Sequence, residues 1–128
     1  MTNLKELNRA VNRALRVLNG IAVDVASSSL SERNVALDEI TQALAHVDKL
    51  QRLVFASDPS LEYHFDASRA PTPAMKEVSD LVEVAERYLQ QGNVAAACDA
   101  LERACDLEPP PLAYEMIEKR LTGLRRSR

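Results

Sequence analysis

The chain has no tryptophan and only five other aromatic residues, three tyrosines and two phenylalanines. Its core must therefore come from Leu, Val, Ile and Ala, which suits packed helices better than stacked sheets. The three glycines, Gly20, Gly92 and Gly123, lie too far apart to form a phosphate-cradling loop. The only cysteines, Cys98 and Cys105, are seven residues apart. On one helix their Cα atoms would stand about 10 Å from each other, out of disulfide reach, and both read as small buried hydrophobes. No stretch approaches the run of about eighteen apolar residues that a membrane span needs, and the start, MTNLKELNRA, lacks the apolar heart of a secretory signal. A cytoplasmic protein without a membrane segment is the expectation.

Catalytic and metal-binding patterns are missing too. His46 and His64 are the only histidines and stand in no HExxH, HxH or Cys/His array. Ser27, Ser28, Ser29 and Ser31 have no adjacent base, and Asp38-Glu39 or Glu83-Glu86 are carboxylate pairs of the kind exposed helices carry. Neither an enzyme nor a cofactor is expected. With a net charge of −3 and a pI of about 5.4, no overall positive field draws the chain to nucleic acid. Charge is uneven locally: Ala74 to Pro111 holds three basic and eight acidic residues, Leu112 to Arg128 five basic and two acidic. The basic end suits the C-terminus of a helix followed by solvated residues.

What is present is helical periodicity. The 128 residues are expected to form one domain, 1–128, with a helical hairpin over 1–56, a connecting loop over 57–73 and a second helical unit over 74–128. Leu4, Leu7, Val11, Ala14, Leu18, Ile21 and Val25 alternate spacings of three and four, the a/d stripe of a packed helix, widened by Leu15 and Ala22. After the serine turn, Leu37, Ile40, Leu44, Val47 and Val54 carry a second stripe from about Glu32 to Ala56, with Ser29 and Glu32 at capping-box spacing and Ser31 as another candidate cap. Two helices of this length, about 36 Å each, should fold back on each other. Asp58-Pro59 ends the second helix, and Tyr63 and Phe65 are expected to pin the loop that follows.

Thr72 caps a third predicted helix, Ala74 to Gln91. Gly92 closes it in the left-handed conformation, and Asn93 caps a fourth, Val94 to Leu107. Pro109-Pro110-Pro111 stops that helix before a fifth, Leu112 to about Leu124, with Leu112 or Ala113, Met116, Ile117 and Leu121 inward. The expected class is all-α with about five helices.

Within this second unit, Leu81, Val84, Ala85, Tyr88, Gly92, Ala97, Leu101, Ala104 and Pro109 fall at tetratricopeptide-repeat spacing, and Val78 to Pro111 resembles one such helix-turn-helix unit. Ala85 and Ala97 would let the helices approach, Tyr88 and Leu101 fill the space beside them, and Gly92 makes the turn. Leu81 and Leu101 stand where the family favours aromatics, and no second repeat is present, so the hairpin or another subunit must cover the apolar face. The resemblance implies an all-α fold, protein–protein interaction, a solvating cap helix over Leu112 to Leu124, and a partner on the inner face of the first repeat helix. That face carries Ser79, Val82, Glu86, Leu89 and Gln90, and its acids favour an apolar or basic protein or peptide. Val82 and Leu89 read equally as core against the hairpin. GNVAAACDAL is also similar to a helix-turn-helix of the Fis type, with a DNA-reading helix ending near Arg120, although Glu102 stands where that motif has glycine. Finally, the first stripe is wide for one partner helix, so a homodimer through Leu4, Leu7, Val11, Leu15 and Leu18 is expected.

Overall fold

The computed structural model describes residues 3–64 and 66–127. It contains α1 (Leu4–Ala26), α2 (Arg33–Ser57), a 3-10 turn (Pro59–Leu61), α3 (Pro73–Gln90), α4 (Val94–Asp106) and α5 (Pro111–Arg126), with no strand among the described residues. The all-α class and the helix order match the periodicity, and no described helix is long and apolar enough to cross a membrane.

Three predicted signals form as expected. Thr72 Oγ1 accepts from the Met75 N–H at the start of α3. Gly92 has a φ of 75°, a conformation glycine adopts without a Cβ penalty. Beside it, Asn93 Oδ1 accepts from the Ala96 N–H to open α4. The capping box before α2 does not form. Glu32 occupies the cap position with no side-chain hydrogen bond. Instead the serines serve the end of α1: the Ser27 hydroxyl donates to the Val23 carbonyl and the Ser28 hydroxyl to the Val25 carbonyl. Arg33 donates to the carbonyls of Ala26 and Ser28. Ser27, Ser28 and Arg33 thus serve the carbonyls at the end of α1, and neither Ser29 nor Ser31 caps α2.

The loop after α2 is pinned as predicted, though by more residues than foreseen. Tyr63 packs on the core of the C-terminal unit, and Leu61 and His64 are buried. The His64 N–H donates to Met75 Sδ, and its Nε2 lies 3.0 Å from the Ala70 carbonyl, which makes Nε2 the protonated nitrogen. Phe65, the other predicted anchor, lies outside the described residues.

The core belongs to α3, α4 and α5, where Val78, Ala85, Ala97, Leu101, Ala104, Ile117 and Leu121 form one buried cluster. The hairpin contributes little to burial. Val11 and Val54 are its only buried apolar residues, and from Arg13 to Leu53 no residue is buried at all. It therefore forms a two-helix extension with no three-dimensional core of its own.

A polar clasp holds its base to the C-terminal unit. Gln51 Nε2 of α2 donates to Asn12 Oδ1 at 2.6 Å and to Asn8 Oδ1 at 3.3 Å. Asn12 Nδ2 then donates to the Glu108 carbonyl at 3.0 Å. The Glu108 carboxylate meets Arg13 Nε at 3.1 Å and Arg16 at 3.0 Å. The Arg16 guanidinium also lies 4.1 Å from the centre of the Tyr114 ring. Glu108 holds this place with a φ of 50°, a strained value for a side chain with a Cβ. Asn8 and Asn12 are themselves buried, so the cost of leaving them unpaired keeps the network together. Replacing Glu108 by Ala should destabilise the protein by about 1–3 kcal/mol, because Arg13 and Arg16 lose their shared carboxylate together while Asn12 keeps the backbone carbonyl. Adding Arg16→Ala should then cost clearly less than it does alone, as a double-mutant cycle in urea would measure; additive losses would mean that the clasp is not one unit.

Candidate functional site

Small residues let α3 and α4 come close. Ala85 and Ala97 are fully buried at their crossing, with Leu101, the largest fully buried side chain, beside them. The turn is closed by the Asn93 N–H donating to the Tyr88 carbonyl at 2.8 Å. α5 packs on α4 through Ile117 and Leu121. Because α5 does not cover the whole of α3, a mainly apolar groove of about 310 Å³ remains between them, walled by Val78, Ser79 and Val82 of α3, Ala113, Met116 and Ile117 of α5, and Tyr63 of the loop. Arg120 stands at its edge, 3.4 Å from the Glu86 carboxylate.

The five positions singled out on α3 do not all share this groove. Ser79 and Val82 line it. Glu86 borders it through Arg120. Leu89 packs against the core instead, and Gln90 is exposed at the end of α3, outside the groove. No residue of α1 or α2 lines the groove, so the hairpin does not cover Val82. The α5 wall was not foreseen as a surface: Met116, predicted inward, is 64% exposed, and Leu112 is exposed as well. A signal for it existed in the i, i+3, i+4, i+7 spacing of Ala113, Met116, Ile117 and Arg120, one face divided between core and groove.

The predicted self-association stripe is placed differently too. Val11 is buried at the hairpin base, and Leu7, Leu15 and Leu18 are half-buried within the hairpin. Leu4 alone of the five is exposed.

A second hollow of about 220 Å³ lies above the clasp, between the first turns of α1, the 3-10 turn and the start of α3. Lys5 and Arg9 at its rim reach Glu77 of α3 at 3.3 and 3.8 Å. The start of α5 is closed on one side by α1, since Arg16 stacks on Tyr114 in its first turn. A DNA-reading helix presents that end to the major groove.

Among the described residues, no group of three or more His, Cys, Asp or Glu side chains could hold a metal ion. Both cysteines are free and buried. Burial pushes the Cys105 thiol up to about 11, with Glu118 and Asp106 adding to the shift. A thiol held neutral in this way is a poor nucleophile. Comparison with protein-family models, curated proteins and solved structures finds no match.

At pH 8 the native protein should alkylate with iodoacetamide at least about tenfold more slowly than the same chain unfolded in guanidinium, with both thiols reacting fully once unfolded. Equal rates would show that the α4 thiols are open to solvent.

Proposed function

We propose that this protein is a non-catalytic interaction protein, a scaffold or adaptor that binds another protein or peptide and self-associates through its N-terminal hairpin. The uncovered α3–α5 groove carries this reading, because a folded chain that leaves a walled apolar channel beside an exposed methionine offers a ready helix-binding surface. In this reading α3 and α4 act as one tetratricopeptide-like unit, and α5 takes the place of the cap helix. Two free buried thiols suit work in a reducing compartment such as the cytoplasm.

Exposed acids stand beside the groove on α3: Glu86, at the Arg120 edge, and Glu83 next to it. A partner with an apolar helical face and Lys or Arg beside it complements them, whereas an acidic peptide would be repelled.

The test is a panel of amphipathic helical peptides identical in their apolar face and differing in the sign of the flanking charges. The basic members should bind, and Val82→Asp should weaken them at least about tenfold while far-UV circular dichroism is unchanged. Tightest binding by the acidic members, or binding indifferent to Val82→Asp, would remove the groove from the account.

A further inference from the structure

The hollow above the clasp holds a polar group that the fold does not use. Asn8, only 7% exposed, forms part of its wall. The Oδ1 of Asn8 is turned to α2, where it accepts from Gln51. Its Nδ2, on the other branch of the amide, donates to no acceptor among the described residues and is not sealed from solvent. A buried donor left without an acceptor costs free energy, so the amide of Asn8 gains from any acceptor that enters the hollow.

Two further donors stand unused around the same space. Ala74 is the second residue of α3, where a helix has no carbonyl to take the N–H, and that N–H has no other partner among the described residues. Arg9 lies 3.8 Å from the Glu77 carboxylate, beyond hydrogen-bond reach, and makes no hydrogen bond to any other described residue. Lys5 is the cation that donates to Glu77, at 3.3 Å. Glu77 therefore satisfies Lys5 and only screens Arg9.

The acceptors of the hollow are already engaged. Asp58 Oδ1 takes the N–H and the hydroxyl of Ser60, and the Glu108 carboxylate takes Arg13 and Arg16. With these partners counted, the cations Lys5, Arg9, Arg13 and Arg16 stand against the carboxylates Asp58, Glu77 and Glu108, and one positive charge is left over. The rest of the wall is largely apolar, with Leu61, Val78, Leu107 and Pro109.

We infer that this hollow binds a small organic acid, its carboxylate taken by Arg9, the Asn8 amide and the Ala74 N–H, and its short apolar body laid against Leu61, Val78 and Leu107. A planar, singly charged carboxylate matches the guanidinium fork and the single excess cation, whereas a phosphate would bring a second negative charge beside Glu77. The volume of about 220 Å³ admits a chain of several carbons. Asn8 and Arg9 belong to α1 and Ala74 to α3, so the bound acid ties the base of the hairpin to the C-terminal unit. The hollow shares only Tyr63 and Val78 with the α3–α5 groove, and its ligand is independent of the groove's partner.

Nuclear magnetic resonance of the 15N-labelled full chain tests this, with sodium acetate, butyrate, hexanoate and inorganic phosphate titrated at constant ionic strength against chloride. The Asn8 side-chain amide and the Ala74 backbone amide should shift saturably with butyrate, at least about threefold more tightly than with acetate, and phosphate should bind more weakly than butyrate. Asn8→Asp keeps an acceptor for Gln51 but removes the donor, and should weaken butyrate at least about tenfold. Arg9→Gln should do the same. Glu77→Gln should tighten butyrate at least about threefold, because it removes the competing carboxylate, an effect that loosening of the hairpin base would not produce. No saturable shift beyond the chloride control up to about 50 mM overturns the site. Binding indifferent to both Asn8→Asp and Arg9→Gln, or weakened by Glu77→Gln, overturns the assigned contacts. Tighter binding of phosphate than of butyrate overturns the choice of an organic acid.

Discussion

Glu108 is the residue on which the two halves of the molecule meet. Its carbonyl takes the Asn12 amide and its carboxylate takes Arg13 and Arg16, while Gln51 ties Asn12 to α2. The triproline that follows cannot continue α4, and the strained turn at Glu108 aims both of its acceptors at α1. A directional polar joint fixes only the base of the hairpin and leaves the rest extended.

Two consequences run from that geometry. The hairpin keeps its inner seam and exposes an outer one, so its rigidity depends on what packs there; a helical pair without a third layer is marginal. The C-terminal unit, built on alanines at the α3–α4 crossing, is complete without the hairpin and keeps its groove open. The groove and the hairpin thereby belong to different parts of the chain.

Much of this was legible in the sequence. Alternating spacings of three and four defined α1 and α2, and Gly92-Asn93 marked the corner because each residue has one local conformational task there. The serine turn differs from expectation for a physical reason: hydroxyls can serve the C-terminus of one helix as well as the N-terminus of the next, and here Ser27 and Ser28 serve α1. The first stripe sits differently because spacing states which residues are apolar but not which neighbour takes them: Leu7, Leu15 and Leu18 are half-buried, whereas Val17 and Ile21 are exposed. The clasp could not be foreseen, since Asn8, Asn12 and Gln51 look like ordinary polar-face residues until a carbonyl 96 positions away is brought to Asn12. On α5, Met116 read as core because spacing does not reveal how far α3 and α5 stand apart.

Under the proposed self-association, the hairpin gains stability from association, whereas the C-terminal unit does not. Amide hydrogen exchange at two protein concentrations, one below and one above the range of self-association, tests it most directly. Protection across Ala14 to Val47 should rise with concentration while Ala97 to Cys105 stays unchanged. Equal protection of the hairpin at both concentrations would mean that it is stable alone, and would contradict self-association through it.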